Sequence, residues 1–196
     1  MKIGTIAAIG GVAVFAMFAV SNYNSLVNLD ENVNGSYAQY QNQLKRQADL
    51  LPNLTDITKG YMNSEQQTMI QTAVARAGDA SRMKPSDVAN NPELQKKLVD
   101  AQAQMGKAMV TLNAVREAYP DLKANVQVGN LMAEVAGTQN RVTVARGNNQ
   151  KSVNDYNRTV RQFPKVIFAS MFGYGQKPYF EAGAEAQNAP QLNFSK

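Results

Sequence analysis

The sequence predicts an all-α protein: an N-terminal transmembrane helix followed by an up-and-down four-helix bundle with long helices. Three observations carry this reading. Ile3 to Val20 reads without a charge, and about 18 uncharged apolar residues is the length of a bilayer-crossing helix. Beyond it, apolar residues recur three and four apart over long stretches, the period of one helix face. No stretch alternates apolar and polar residues over the length of a strand. The division that follows is an anchor over residues 1–21, a helical domain over 22–164, and an aromatic segment with a flexible tail over 165–196.

The anchor is marked by Ile3, Gly4, Ile6, Ala7, Ile9, Gly10, Gly11, Val12, Val14, Phe15, Phe18 and Val20. At 1.5 Å per residue it reaches about 27 Å, a little short of a hydrocarbon core of about 30 Å. A cleaved secretory signal ending at Ala19-Val20-Ser21 is the competing reading. The length of the run and the minimal Met1-Lys2 leader favour retention. A run apolar on every face also argues against a helix of a small soluble core. Gly4, Ala7, Ala8, Gly10 and Gly11 provide the small-residue spacing that lets two membrane helices approach, a spacing common in anchors generally. Lys2 precedes the run and the next basic residue is Lys45. The basic-side-inside rule then puts Met1 in the cytoplasm and the domain outside it.

After Tyr23, an aromatic residue at interface height, the pattern Leu26, Leu29, Val33, Tyr37, Tyr40, Leu44 and Leu51 describes one helical face. The anchor and this helix form one rod in this reading, with Gly35 its weakest point. Pro52 is expected to end or kink it. A second helix is predicted from about Asn53 to Arg82, with Leu54, Ile57, Tyr61, Met69, Ala73, Ala77 and Ala80 inward. Residues 83–92, with two prolines and paired asparagines, read as a loop, and Asn91-Pro92 as a capped helix start. The third helix carries Leu94, Leu98, Ala101, Met105, Ala108, Leu112, Val115 and Tyr119, a seam of period 3.5 suited to a left-handed bundle. Tyr119-Pro120 breaks it. The fourth runs from about Asn125 to Phe163 through Val128, Leu131, Val135, Thr138, Val142, Ala145, Asn149, Val153, Tyr156 and Val160.

The composition excludes several functions. There is no cysteine and no histidine, which removes thiolate chemistry, the commonest metal ligand and the commonest neutral-pH acid–base group. No phosphate-binding glycine loop or nucleophile elbow is present. The net charge of +5 is scattered, without the basic stripe that nucleic-acid binding requires. The expectation is no catalytic residue, no cofactor, no metal and no nucleic-acid partner.

Ordered short motifs then resemble a known family. They are Tyr23-Asn24-Ser25-Leu26-Val27, Leu44 to Leu54 (LKRQADLLPNL), Lys59-Gly60-Tyr61, Ala75-Arg76 and Glu117 to Asn125 (EAYPDLKAN). Asn140-Arg141, Ala145-Arg146, Val153 to Asn157 (VNDYN), Phe163-Pro164, Phe172-Gly173 and Tyr179-Phe180 continue the series. Together they are similar to the LemA family over nearly the whole chain. The resemblance implies one N-terminal membrane helix, an up-and-down four-helix bundle, and no catalytic residues. It places the chain in the bacterial inner membrane as a single-pass protein. One type of relative, linked to intracellular membrane compartments in magnetotactic bacteria, suggests membrane organisation by self-assembly. Ser64-Glu65 stands where relatives often carry His-Glu, and Gly147 to Gln150 (GNNQ) departs from the aromatic-Asn that often follows the Ala-Arg pair.

Two function classes remain: a self-assembling structural protein of the membrane, with lipid and further copies of itself as partners, and a monomeric tethered module for an envelope or signalling partner. Charges near Pro52 (Lys45, Arg46, Asp49, Asp56) and Pro120 (Arg116, Glu117, Asp121, Lys123) fit helix-end electrostatics better than a recognition patch. Asn149 falls on the apolar phase of the fourth helix, whereas Asn140, Asn154 and Asn157 read as solvated. An up-and-down bundle returns the chain to the membrane end near Phe163. There Ile167, Phe168, Met171, Phe172, Tyr174, Tyr179 and Phe180 form an aromatic segment. It can cap its own bundle, join adjacent subunits or meet the lipid surface.

Overall fold

The computed structural model describes residues 3–180, with side chains from Ile9 onward. Among the described residues there are seven α-helices, one 3-10 turn and no strand. They are α1 (Ile3–Thr58), α2 (Ser64–Ser81), α3 (Pro85–Asn90), α4 (Pro92–Ala118), α5 (Pro120–Ala124), α6 (Val126–Arg161) and α7 (Lys165–Phe172). The flexible tail expected over residues 181–196, and Met1 and Lys2, lie outside the described residues. The side chains of Ile3, Gly4, Ile6 and Ala7 do so as well.

The anchor and the first domain helix are one 56-residue helix, so no break falls at residue 21 or at Gly35. Pro52 does not end it either, which corrects the second helix expected to begin at about Asn53. Leu44, Leu51 and Leu54 lie on both sides of the proline with their side chains fully buried. Packing on that scale outweighs the roughly 3 kcal/mol that proline costs inside a helix. Pro52 is itself exposed, and the carbonyl it leaves without an N–H donor is that of Ala48, one turn earlier. Just beyond the proline, Thr55 and Thr58 donate their hydroxyls to the Leu51 and Leu54 carbonyls at 2.9 and 2.8 Å. The actual turn comes at Lys59–Tyr61, a 3-10 segment containing Gly60. The second helix therefore starts at Ser64 rather than Asn53. Its start is a capping box: Asn63 Oδ1 accepts from the Gln66 N–H, and Gln66 Oε1 accepts from the Asn63 N–H.

α2 returns antiparallel to α1, and Gln41 Nε2 donates to the Ala80 and Met83 carbonyls at 3.0 and 2.9 Å. Ala73, Ala77 and Ala80 are buried, and their small size allows the close approach of α2 that the sequence suggested. The 83–92 loop contains the short α3, which buries Val88 and Ala89. Asn91 caps α4 by accepting from the Glu93 and Leu94 N–H groups, with Pro92 as the first helical residue. The α4 seam is buried from Leu98 to Val115. Tyr119 ends it, partly exposed and packed at a tilt against Tyr61 at a ring separation of 5.0 Å. That contact places the α1–α2 turn and the α4–α5 turn at one end of the molecule.

α6 runs antiparallel along α1 and makes its largest interface. The seam is part polar: Gln47 Nε2 donates to Gln139 Oε1 at 2.6 Å, and Asn149 Nδ2 donates to Ser36 Oγ at 2.8 Å. Asn149 is fully buried, and its partner on α1 fixes the register of the two helices. By contrast α4 and α6 barely touch. The C-terminal segment fills the space this leaves.

Candidate functional site

The aromatic segment splits into two parts with different surroundings. After a cis Phe163–Pro164 bond, α7 turns back onto the start of the domain. Lys165 Nζ donates to Ser25 Oγ at 2.8 Å, and the Phe172 ring meets Tyr23 at 4.9 Å. Both ends of α7 thus meet α1 at nearly the same height, so α7 lies across α1 and not along it. Phe168, from the middle of α7, reaches a turn or more further toward the N-terminus and packs edge-on against Phe18 at 5.7 Å.

Phe168 and Ala169 are buried in this contact, whereas Ile167 and Met171 are 52% and 65% exposed and Phe163 is 82% exposed. Val166, Phe172 and Tyr23 add further exposed apolar surface at the same level. On α1 beside and below it, Val12, Val14, Phe15, Met17 and Val20 are all exposed as well. α1 is the described helix long and apolar enough to cross a membrane. The exposed collar on and before α7 therefore lies beside the place where the apolar part of α1 gives way to the polar part.

Gly173, in the left-handed conformation with φ 77°, ends α7 and reverses the chain, and the Tyr174 N–H closes the turn on the Ala169 carbonyl at 2.8 Å. Residues 174–180 then run away from α7, between α4 and α6, as a strap. Asn157, fully buried on α6, treats Lys177 as a strand would: its Nδ2 donates to the Lys177 carbonyl and its Oδ1 accepts from the Lys177 N–H, each at 2.8 Å. Gln95 Nε2 on α4 donates to the Pro178 carbonyl at 3.3 Å. The Lys177 ammonium is 4% exposed, 2.8 Å from Asp30 Oδ1, 3.1 Å from Asn90 Oδ1 and over the Tyr156 ring. Phe180 packs against Tyr37 and Tyr40, with the Arg146 guanidinium over its face. Of the segment's predicted contact residues, Phe168, Tyr174 and Phe180 thus pack onto the chain itself. Phe172 does so in part, and Ile167, Met171 and Tyr179 remain exposed.

Burial sets the proton chemistry of these phenols. Tyr156, which donates to the Gly175 carbonyl at 3.0 Å, is pushed up to about 12 by burial and then by the nearby Asp30 carboxylate. Burial likewise raises Tyr37 and Tyr40, and Tyr174 is raised by burial and then by Tyr23. The two predicted charge clusters lie on the surface as short-range pairs: Lys45–Asp49 at 2.6 Å, Arg46–Glu134 at 3.5 Å and Lys123–Glu117 at 2.6 Å. The Lys123 hydrogen bond holds Glu117 below its ordinary range.

Asn157, Asp30 and Lys177 were missed in the sequence. Asn157 lies one residue from Tyr156, off the strict apolar phase, and its burial depends on the strap lying over it. Nothing local marks Asp30, because the cation that pairs it stands 147 positions away in sequence (177 − 30).

The model of the LemA family matches residues 36–194. The chain belongs to the LemA family. The LemA match takes in the C-terminal part of α1 from residue 36, all the later helices and the strap. The chain is also similar to two magnetosome proteins of Paramagnetospirillum magneticum (strain AMB-1), MamQ 2 and MamQ 1. Each is 22% identical over 200 residues, covering 92% of this chain and 74% of the relative. Magnetosome protein MamQ of Magnetospirillum gryphiswaldense (strain MSR-1) is 20% identical over the same shares.

Proposed function

We propose that this LemA-family protein is a non-enzymatic, single-pass membrane protein that self-assembles at the bilayer and has a structural, membrane-organising role. In this reading α1, α2, α4 and α6 act as an up-and-down four-helix bundle on the extracytoplasmic side of a bacterial inner membrane. The observation that carries the proposal is the collar of exposed Phe163, Ile167 and Met171 beside an apolar helix that continues without a joint into the domain core. Apolar surface of this kind marks contact sites, and α7 presents it sideways, toward a neighbour standing in the same membrane. The similarity to magnetosome proteins points to the same kind of role by analogy. The absence of cysteine and histidine from the sequence, with surface carboxylates already paired to lysines and arginines, favours a non-catalytic role.

The test is particle mass in a mild detergent for the parent and for Ile167→Ser with Met171→Ser. Both side chains point outward, so the fold should survive the change. The expected result is a defined particle of several chains for the parent, and a smaller one with unchanged helix content for the variant. A parent of single-chain mass would refute assembly and favour a monomeric tethered module for an envelope partner.

A further inference from the structure

A cleft of about 920 Å³ opens between α1 and the corner formed by α6 and α7. Its floor at the N-terminal end is Ala16, Met17 and Val20, and its upper wall carries Ser25, Asn28 and Lys165. We propose that this cleft is a phospholipid-binding site, with Lys165, Ser25 and Asn28 holding the phosphodiester while the acyl chain lies over Met17 and Val20. The proposal rests on the reading of residues 3–20 as a membrane span.

Three features select a lipid. The first is the change of polarity within one cleft. One face of α1 passes from apolar to hydroxyl and amide side chains between Val20 and Asn28, the order in which an acyl chain and its headgroup would meet it.

The second is charge. Lys165 is half-buried and its Nζ is 2.8 Å from Ser25 Oγ. Among the described residues no carboxylate pairs with it. One cation among neutral donors matches the single negative charge of a phosphodiester, and a lysine ammonium binds phosphate as a point charge.

The third is height. Ser25 stands about 7 Å along α1 beyond Val20. The headgroup layer of one leaflet is itself roughly 5–8 Å thick, the difference between total and hydrocarbon thickness shared between two sides. Lys165 is therefore level with the phosphates when Val20 is at the edge of the hydrocarbon. The space is broad and open to the surface along α1, so a headgroup and the first part of its chains would lie against the helix and not be enclosed.

The full chain is placed in phosphatidylcholine nanodiscs containing a minor fraction of phosphatidylglycerol with a photoreactive group near the headgroup end of one acyl chain. Cross-links are mapped by peptide mass. The expected result is labelling concentrated on Met17 and Val20 over the Tyr23 face at similar height. It should fall several-fold in Lys165→Gln and recover in Lys165→Arg. Excess short-chain phosphatidylglycerol should compete, and inorganic phosphate should not. Labelling spread evenly around α1, or indifferent to Lys165→Gln, would overturn the site. Competition by inorganic phosphate alone would reassign it to a free anion and overturn the proposal. Flotation and alkaline extraction of the same samples separate the two levels of inference. A chain that leaves the bilayer refutes the membrane span and the site together. A chain that stays, without selective labelling, refutes only the site.

Discussion

Two stretches of α1 treat their apolar side chains in opposite ways. From Ile9 to Val20 the helix turns them outward on every side, as with Val12 at 69% and Met17 at 74% exposure. From Leu26 to Leu54 it keeps one face, with Leu26, Val33, Tyr37, Tyr40, Leu44, Leu51 and Leu54 all at 0%. The backbone is the same in both, so helix formation teaches little about either. The difference lies in what solvates the side chains: protein on one face of the second stretch, and in our reading lipid around the first. The C-terminal segment repeats the contrast at smaller scale. α7 turns Ile167 and Met171 outward beside the first stretch, and the strap turns Lys177 and Phe180 inward beside the second.

The sharpest way to break this comparison is one truncation to alanine in each stretch. Leu44→Ala should cost about 2–5 kcal/mol in a denaturant titration of the detergent-solubilised chain, because it leaves a cavity in a packed core. Val12→Ala, in the same helix, should stay within about 0.5 kcal/mol. Equal effects would mean that the two stretches share one environment.

Next in size is Asn157→Ala. It removes both hydrogen bonds to the Lys177 backbone and should cost about 1–3 kcal/mol by leaving those groups unpaired. Hydrogen exchange at residues 176–180 should accelerate while α4 stays protected. Unchanged exchange there would show that the side chains of Lys177 and Phe180 alone secure the strap.

A smaller effect is confined to alkaline pH. Folding holds Tyr156 at about 12 against an ordinary 10.0, so the folded form keeps the phenol neutral. The stability it contributes is fully present below pH 10.0 and is lost as pH rises from there through about 12. Tyr156→Phe should flatten the decline of the denaturation midpoint over that window. A decline of unchanged steepness would assign it to other groups.

Smallest is Lys45→Ala, which breaks an exposed ion pair with Asp49. It should change stability by less than about 0.5 kcal/mol. A larger loss would give this surface a role beyond helix-end electrostatics.

The legible parts of the fold were those whose burial comes from one helix face. The α4 seam is legible from Leu98 to Val115, with its ends Leu94 and Tyr119 only partly covered, and most of the α6 face is legible too, because period alone decides it. Pro52 misled because its local cost is read from sequence, while the packing of Leu51 and Leu54 that outweighs it is not. The true turn had a local signal, Asn63 followed three residues later by Gln66, that the proline obscured. The aromatic segment was legible as a cluster that needs cover. Its division into an outward collar and an inward strap depends on Gly173 reversing the chain and on Asn157, Asp30 and Asn90 converging on Lys177 from three separate elements.

The unbroken passage of α1 through Pro52 has a mechanical consequence. Between Ser21 and Thr58 there is no joint, so the Tyr61–Tyr119 tip stands about 55 Å beyond the end of the apolar stretch on a stiff shaft. A tilt of about 20° within a bilayer, ordinary for a single helix, would sweep that tip sideways by roughly 20 Å. A twist of the buried end would turn the tip through the same angle. Crowding, thickening or curving the bilayer around the first few turns would then reach the far tip as displacement, with no rearrangement inside the domain.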